Sequence, residues 1–360
     1  MIISVDEFLK GKIAAEAFAP GRVNLLGEHT DYNDGFVMPI ATPQRTYVAL
    51  GYSENDMCHA YSATLDQTIS FRRKGDLPGG FASYLEGCMR MMDEAGVAVP
   101  PVDIYINSDV PMGAGLSSSA ALEVAMLRAL RSLLNAGVDD VELAKMAQQA
   151  EVKFAKVKSG LMDQMASSVG DMEHILFLDT RTLERRLLPL PLNTELIVIN
   201  SGIPRNLSAS KYNERRQECE EAARLLGVSS LRDASGLDAI EKLPDPFRKR
   251  ARHVFTENER VKEASAGVTP ERFGHLMNAS HFSLRDDFEV SIIPLDVLTD
   301  LLRDHVDVYG ARLTGAGFGG ACVALCRKGQ AKRVSEWALT EYNNTGQHGR
   351  ILLPQPVAPL

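Results

Sequence analysis

The sequence predicts a protein of mixed helices and strands, built as one large domain or two medium ones. The chain has 360 residues and an ordinary hydrophobic fraction of 45%, enough to bury a sizeable core. The stretches 45–52 and 59–71 are typical of strands in an antiparallel or mixed sheet. Long helices are expected at 246–265 and 271–285, so both element types contribute to the fold.

Charge, cysteine content and apolar runs exclude several classes of protein. A net charge of −8 argues against nucleic acid as the main ligand. The N-terminal MIISVDEFLKGK lacks the pattern of a signal peptide, and no run approaches the roughly 18 apolar residues of a membrane span. Five cysteines without a CxxC pair fit free thiols in a reducing compartment better than disulfides or a zinc site. We therefore expect a cytoplasmic protein that binds neither nucleic acid nor membrane.

The first segment with chemical interest is a charged stretch at 19–39, rich in turn-forming residues and predicted to be a loop between strands. Such a loop is often only a solvated surface. Its density of directional hydrogen-bonding groups also suits a ligand with many hydroxyls, such as a sugar. A metal site is a weaker alternative, because one histidine with two nearby acids needs a further ligand. The polar residues of this loop are Arg22, Glu28, His29, Asp31 and Asp34.

A strand, a glycine-rich loop and a helix follow one another at 102–134. Val102–Ile106 alternates apolar and polar residues, and the Ala/Leu-rich run to about Leu134 is typical of a helix. Between them lie Gly113, Gly115 and three consecutive serines. Free N–H groups at a helix N-terminus favour anions, and glycines allow a phosphate to approach the backbone closely. The sequence predicts a phosphate site here, with a simple capped helix start as the alternative.

Two carboxylates lie in the next part of the chain. A second helix is expected at 139–157, and it contains Glu151. The segment KSGLMDQMASSVG then places Asp163 between apolar neighbours, where a carboxylate serves either as a helix cap or as a working group. Burial would raise the pKa of that carboxylate and a nearby cation would lower it, and a catalytic base can use either balance.

The C-terminal part of the chain contains a formal GxGxxG at Gly315–Gly320. A dinucleotide fingerprint requires a helix immediately afterwards, but 321–325 is typical of a strand. We therefore expect a glycine-rich hairpin. The sequence has no GxxxxGK[ST], which excludes a P-loop enzyme. Further elements are helices at 81–95 and 212–226, strands at 174–179 and 195–201, and a connector at 242–246.

Three stretches taken together resemble the three motifs of the GHMP kinases. They are GRVNLLGEHTDYN (Gly21–Asn33), PMGAGLSSSAALEVA (Pro111–Ala125) and GARLTGAGFGG (Gly310–Gly320). The first is similar specifically to the galactokinase branch, as are SGLMDQ, YNERRQECEEAA and MNASHFSLRDDFEVS in the expected order. The resemblance implies a two-lobed α+β fold. It implies an N-terminal mixed-sheet lobe at 1–170, a C-terminal lobe of antiparallel strands and helices at 171–360, and an active site in the cleft between them.

The resemblance also implies a reaction: phosphorylation of galactose by ATP at the anomeric hydroxyl, with Mg²⁺ as cofactor. We further expect a monomer. The catalytic positions carried over are Asp163 and Arg22, and the magnesium ligands are Ser119, with Ser118 as the alternative, and Glu151. The sugar-contacting positions are Glu28, His29, Asp31, Gly160 and Tyr212. The phosphate-loop positions are Gly113, Ala114, Gly115, Leu116, Ser117, Ser118 and Ser119.

The sequence departs from the usual galactokinase pattern at three places. Lys158-Ser159 stands where Pro-Cys is common, Pro204-Arg205 where Arg-His is common, and Phe81 where tryptophan is common. A kinase for a related sugar, such as N-acetylgalactosamine, L-arabinose or galacturonate, is therefore an alternative. A catalytically silent galactose sensor is a further one. It would require a broken phosphate loop or a lost base, and the sequence shows neither.

Overall fold

The structure is a computed structural model and describes residues 2–76, 79–204 and 208–355. The chain divides into two compact units. The first holds residues up to Arg22, then Ala41–Met112 and Ser117–Gly170. The second holds Val23–Ile40, Gly113–Leu116 and the chain from Asp171 onward. The division after residue 170 expected from the sequence stays a prediction. Arg205, half of one departure noted above, lies outside the described residues.

The strands of the described chain are numbered in order. They are β1 (Ala15–Asn24), β2 (Phe36–Val37), β3 (Pro39–Tyr52), β4 (Met57–Ser62), β5 (Gln67–Arg72), β6 (Val102–Ser108), β7 (His174–Asp179), β8 (Arg185–Pro189), β9 (Thr194–Asn200), β10 (Val308–Thr314), β11 (Ala321–Arg327) and β12 (Arg350–Leu353).

The α-helices are numbered in the same way. They are α1 (Val5–Phe8), α2 (Ala82–Glu94), α3 (Ser118–Leu134), α4 (Asp140–Ala150), α5 (Met162–Val169), α6 (Ser208–Leu226), α7 (Leu237–Ile240), α8 (Phe247–Ser265), α9 (Pro270–Asp286), α10 (Ile293–Asp304) and α11 (Ala331–Asn344). A π-helical turn at Glu151–Ala155 continues α4. None of the helices in the described ranges has the length and apolar character needed to cross a bilayer.

The first unit is organised around a five-stranded mixed sheet. Its strand order is β1-β3-β6-β4-β5, with β4 parallel to β6 and antiparallel to β5. Helices α2, α3 and α4 pack against one another and share a core with the sheet, in which Val48, Ile104, Leu85, Leu127 and Leu143 are buried. This arrangement confirms the mixed sheet predicted for the N-terminal lobe.

The second unit contains two antiparallel sheets. One has the order β10-β11-β9-β12 and the other the order β2-β7-β8. Helices α9 and α10 pack on β10, and α11 packs on β9. Their common core includes Ile197, Leu298, Leu313 and Tyr342, which confirms the antiparallel strands and helices predicted for the C-terminal lobe.

The glycine-rich stretch at 315–320 connects β10 to β11, whose antiparallel register pairs Thr314 with Ala321. Gly317 has a φ of +77°, and a Cβ atom there would lie 2.3 Å from the carbonyl oxygen of Val290. A side chain at this position would therefore clash with the backbone as well as strain it. The predicted hairpin is confirmed, and no helix follows it as a dinucleotide fingerprint would require.

Three sequence predictions were wrong in detail. The stretch 59–71, expected as a strand, belongs to two strands, β4 and β5, that are joined by a turn. The segment 19–39 was predicted to be a loop, but β1 continues to Asn24, so Arg22 lies on a strand. Pro20 and Gly21 suggested a turn, whereas residues 21–24 are buried in the sheet. The helix predicted to end at 157 ends as an α-helix at Ala150 and becomes π-helical from Glu151. Apolar periodicity cannot reveal this change, because it does not distinguish the two hydrogen-bonding patterns.

Candidate active site

The glycine-rich loop delivers the chain from β6 to the start of α3, as predicted. Gly113 and Gly115 have φ angles of +71° and +87°, and Ser117 adopts a left-handed conformation with φ of +58°. Such a conformation in a serine is uncommon, and uncommon backbone angles concentrate at functional sites. Ser117 is the N-cap of α3 but makes no side-chain capping hydrogen bond. The loop thus leads into a 17-residue helix whose N-terminal dipole favours an anion.

Asp163 lies in the first turn of α5, where two groups fix its carboxylate. Arg22 donates from Nε to Oδ1 at 2.8 Å and from Nη2 to Oδ2 at 2.7 Å. The hydroxyl of Ser117 donates to Oδ2 as well, which explains why it does not cap α3. The side chain of Arg22 is 5% exposed and that of Asp163 is 27% exposed. A buried two-point contact therefore orients a carboxylate that solvent or a ligand can still reach.

Glu151 is a buried carboxylate at the junction of α4 and the π-helical turn. The Ser159 hydroxyl donates to Oε2 at 2.6 Å and Gln164 Nε2 donates to the same oxygen at 2.9 Å. Burial raises the pKa of Glu151, the Asp163 charge raises it further, and hydrogen bonds from Ser159, Ser119 and Gln164 lower it only in part. The structure thus brings Ser119 and Glu151 together, although 32 positions separate them in the sequence.

These two residues fit a magnesium ion. Mg²⁺ prefers oxygen ligands, retains several waters and takes few protein ligands, and the site offers a hydroxyl and a carboxylate. The hydrogen bonds to Glu151 come from uncharged groups, so a cation would supply a counter-charge to a buried carboxylate. Within the described ranges, no cluster of three or more His, Cys, Asp or Glu could form a larger protein cage.

A second buried carboxylate, Glu123 of α3, lies behind this site. Its Oε2 accepts from Gln164 Nε2 at 3.3 Å, so the amide of Gln164 connects Glu123 with Glu151. Burial raises the pKa of Glu123 well above its usual range, and the charges of Glu151 and Asp163 add to the effect. Sequence reasoning singled out neither Glu123 nor Gln164. The signal for Gln164 was its place beside Asp163 in the SGLMDQ segment.

The first unit also contains a cavity of about 300 Å³ next to the start of α3. Ser118 and Ser119 form part of its wall, together with Phe81, Tyr84 and Leu122. Burial raises the pKa of Tyr84 to about 12, and the charges of Glu151 and Glu123 contribute. A largely apolar cavity beside a helix N-terminus that favours anions is suited to a nucleoside.

Four of the five predicted sugar-contacting residues lie in the second unit: Glu28, His29 and Asp31 on the loop at 25–36, and Tyr212 on α6. Gly27 has a φ of +91°, and a Cβ there would lie 2.3 Å from the carbonyl oxygen of Phe36. His29 is buried, with Nδ1 2.8 Å from the Tyr32 hydroxyl and its ring centroid 4.6 Å from that of Phe288 and 5.5 Å from that of Tyr212. Burial lowers the pKa of His29 well below its usual range, so the ring is neutral at pH 7.

Two carboxylates of this loop have different surroundings. Glu28 is buried, and its Oε2 accepts from Nη2 of the fully buried Arg312 at 2.7 Å. Asp31 begins a short 3₁₀ turn and is partly exposed. Its backbone carbonyl accepts from the Thr180 hydroxyl at 3.1 Å. The loop therefore presents one carboxylate held by a cation and another that is accessible to a ligand.

Comparison with known proteins identifies the family of this chain. Three family models match: the galactokinase galactose-binding signature at residues 7–52, the GHMP kinases N-terminal domain at 83–171 and the GHMP kinases C-terminal model at 266–343. Galactokinase of Thermotoga petrophila is 42% identical over 328 residues, covering 90% of this chain and 93% of its own. Galactokinase of Thermotoga neapolitana is 40% identical over 330 residues, covering 91% and 93%.

The chain belongs to the galactokinase family. Among solved structures, Lactococcus lactis galactokinase complexed with galactose is similar at a TM-score of 0.88 and 32% identity, over 94% of this chain and 92% of that one. Methanococcus jannaschii mevalonate kinase, at 19% identity and a TM-score of 0.70, covers 93% of this chain and 96% of its own and shares the fold. The resemblance drawn from the sequence motifs is confirmed, and ATP is the co-substrate of such kinases.

Within this galactokinase-family chain, the predicted residues form two groups, one in each unit. In the first unit, contacts join Arg22, Ser117 and Asp163, and other contacts join Ser119 with Glu151. In the second unit, His29 packs against Tyr212. Gly160 is buried just before α5. The roles assigned to these residues, including Asp31 and the loop positions 113–116, stay predictions.

Proposed function

We propose that this galactokinase-family protein transfers the γ-phosphoryl group of ATP to the C1 hydroxyl of D-galactose, giving α-D-galactose 1-phosphate in the Leloir pathway of galactose metabolism. The observation that carries the proposal is the orientation of the Asp163 carboxylate by Arg22 and Ser117. Ser117 is the N-cap of α3, the helix whose N-terminus favours an anion. The galactose bound to the Lactococcus lactis relative supports the choice of sugar. We also propose that the protein acts as a monomer in the cytoplasm.

In the proposed reaction, the C1 oxygen of galactose forms a bond to the γ-phosphorus while the bond from that phosphorus to the β-phosphate oxygen breaks, releasing ADP. The proton of the C1 hydroxyl passes to a carboxylate oxygen of Asp163. Arg22 keeps that carboxylate in place with two hydrogen bonds and supplies positive charge beside it. Phosphoryl transfer depends mainly on positioning and charge neutralisation. The hydrogen bonds of Arg22 to Asp163 contribute the positioning, and its guanidinium contributes the charge.

The phosphate chain of ATP is assigned to the loop Gly113–Leu116 and to Ser117, Ser118 and Ser119 at the start of α3, where backbone N–H groups favour anions. The adenosine is assigned to the cavity lined by Phe81 and Tyr84. Ser119 and Glu151 would hold Mg²⁺, which when bound neutralises charge on the transferring phosphates. Glu151 itself is kept in place by Ser159 and Gln164.

Sugar recognition is assigned to the loop of the second unit, with Gly160 as a further contact. Asp31 would accept hydrogen bonds from adjacent ring hydroxyls, because a carboxylate accepts paired O–H donors well. Glu28 and His29 would act near C6, and the ring of Tyr212 would pack against the sugar. Glucose differs from galactose only at C4, so an acceptor positioned for the axial hydroxyl would be left unpaired by glucose.

A coupled assay of ADP release tests the proposal on galactose, glucose, N-acetylgalactosamine, L-arabinose and galacturonate. We expect galactose to be the best substrate and glucose to have a kcat/KM at least about a hundredfold lower. The Asp31→Ala variant should lose galactose activity and much of this preference. Equal use of another sugar would contradict the substrate while leaving the kinase reaction intact, and no ADP release with any sugar would contradict the reaction itself.

A further inference from the structure

One face of helix α8 is bound to the loop 27–36 through three side chains spaced at helical intervals. His253 Nε2 is 3.0 Å from the backbone carbonyl oxygen of Glu28. Glu257 Oε1 accepts from the backbone N–H of Gly27 at 2.8 Å and of Glu28 at 3.4 Å. Asn258 Oδ1 accepts from the backbone N–H of Phe36 at 2.9 Å. The helix thus holds both ends of the loop by its backbone.

Glu257 is the centre of this contact, and the structure satisfies both of its oxygens. Oε1 also accepts from the Ser280 hydroxyl at 2.7 Å, while Oε2 accepts from Arg260 Nε at 2.6 Å. Burial alone would raise the pKa of Glu257, but the charges of Arg260 and Arg312 lower it well below its usual range. This fully buried residue is therefore a carboxylate anion at neutral pH.

The charge of Glu257 reaches the side chain of Glu28 through a guanidinium group. Arg312 is fully buried, with Nη1 3.8 Å from Glu257 Oε1 and Nη2 2.7 Å from Glu28 Oε2. Arg312 therefore lies between two carboxylates, and a buried guanidinium is held where the surrounding anions offset its desolvation cost. The row Glu28–Arg312–Glu257 therefore sets where the Glu28 carboxylate lies.

We propose that Glu257 is a positioning residue for the sugar, acting through Arg312 on the Glu28 side chain and through two N–H groups on the loop backbone. This inference deepens the proposed function, because it rests on the loop being the sugar-binding element. A purely structural role would require only a filled and satisfied interior. The observed row does more, since it fixes the orientation of a side chain assigned to the ligand, and small displacements of such groups weaken function strongly.

The test is the isosteric Glu257→Gln variant, which keeps the shape but removes the negative charge beneath Arg312. We expect the KM for galactose to rise about tenfold or more, as for misplaced binding groups, while the KM for ATP stays within about twofold. Backbone amide hydrogen exchange should accelerate in the 27–36 segment, because Gly27 and Glu28 donate to Glu257. The matched control is Asp307→Asn, a carboxylate 10% exposed and paired with Arg327 and Arg333.

The control variant should lower the unfolding temperature without changing the KM for galactose or the exchange of the loop. If Glu257→Gln behaves like the control, with only a lower unfolding temperature, the positioning role is wrong. Should Glu257→Gln fail to fold, Arg312→Lys keeps the charge but loses the planar fork. The same rise in galactose KM is then expected, and its absence would overturn the proposal. If the wild type prefers another sugar, the proposed function fails, while loop exchange still decides the role of Glu257.

Discussion

Two buried glutamates, one in each unit, have opposite electrostatic environments. Glu151 in the first unit accepts hydrogen bonds from Ser159, Ser119 and Gln164, which are uncharged, and burial raises its pKa. Glu257 in the second unit contacts two guanidinium groups, which lower its pKa well below the usual range despite equally complete burial. Burial therefore does not decide the state of a carboxylate, because the counter-charge outweighs it.

The difference in counter-charge distinguishes Glu151, a candidate ligand for a cation, from Glu257, which supports a loop of the protein. The charge of Glu257 is balanced within the chain, and its hydrogen bonds extend to a loop backbone. Glu151 is oriented by neutral donors instead, and a cation bound next to it would relieve the cost of a buried charge. We infer that Glu151 is arranged for a magnesium ion and Glu257 for positioning the loop 27–36.

The largest expected effect comes from Asp163→Asn. Loss of a general base lowers kcat by about 10²–10⁴, and the same change removes a charge that raises the pKa of Glu151. Because Asp163 is not assigned to the nucleotide, ATP binding should remain close to that of the wild type. Steady-state kinetics and nucleotide titration measure both effects. A variant that keeps more than about a third of the wild-type kcat, far above that range, would show that Asp163 is not the base.

The comparison becomes sharpest when each glutamate is replaced by glutamine. Glu257→Gln should lower the free energy of unfolding by about 3–5 kcal/mol, because it removes the carboxylate charge that pairs with Arg260 and lies beside the buried Arg312. Glu151→Gln should leave stability unchanged or raise it, since a folded-state pKa above the unfolded value makes the ionised form unfavourable at pH 7. Urea unfolding at pH 7, with a chelator present to remove Mg²⁺, measures the free energy of unfolding of both variants. Equal losses of stability in the two variants would contradict the difference proposed between Glu151 and Glu257.

The buried His253, which contacts the same loop as Glu257, makes the stability of the protein depend on pH. Burial lowers the pKa of His253 from an ordinary 6.5 to about 4. Between these values the unfolded chain binds more protons, so stability falls as the pH is lowered from 6.5 to 4. The contribution is on the order of 3 kcal/mol, at about 1.4 kcal/mol per pH unit. His253→Gln should flatten this part of the stability profile; an unchanged slope would exclude a buried neutral imidazole.

The smallest expected effect is at Ser159, in the Lys158-Ser159 pair that departs from the usual galactokinase pattern. Ser159→Ala removes a hydrogen bond that lowers the pKa of Glu151, worth about 1 kcal/mol. The Mg²⁺ concentration for half-maximal activity should therefore rise about fivefold. The Mg²⁺ requirement of Ser159→Cys should lie between those of the wild type and Ser159→Ala. Magnesium titrations of initial rate measure the change. A requirement identical to that of the wild type would mean that Ser159 does not tune Glu151.

Local sequence patterns predicted the elements that depend on local interactions. The strand, loop and helix at 102–134 and the hairpin at 315–320 follow from periodicity and glycine placement, and the structure confirms both. The strand position of Arg22 could not be predicted, because Pro20 and Gly21 indicate a turn unless the pairing of β1 with β3 is known. Tertiary pairing outweighed local propensity there.

The site shows the same limit at longer range. Asp163 and Ser119 could be chosen from motifs, but the contact of Glu257 with Gly27 spans 230 positions. Glu257 lies in the charged sequence TENER, where a carboxylate is typical of a solvated helix face. Only the packing of α8 against the loop reveals that it is buried. Arg312 was within a recognised motif, but its partner across the interior was not predictable from spacing.

The most direct measurement of the central distinction is the magnesium-dependent part of thermal stabilisation by a non-hydrolysable ATP analogue. A ligand that binds only the native state raises its stability by RT ln(1 + [L]/Kd), so tighter binding gives a larger increase. We predict that Mg²⁺ adds to the stabilisation by the analogue in the wild type and in Glu257→Gln, and that this increment is lost in Glu151→Gln. An increment retained in Glu151→Gln would contradict the assignment of Glu151 as the magnesium site.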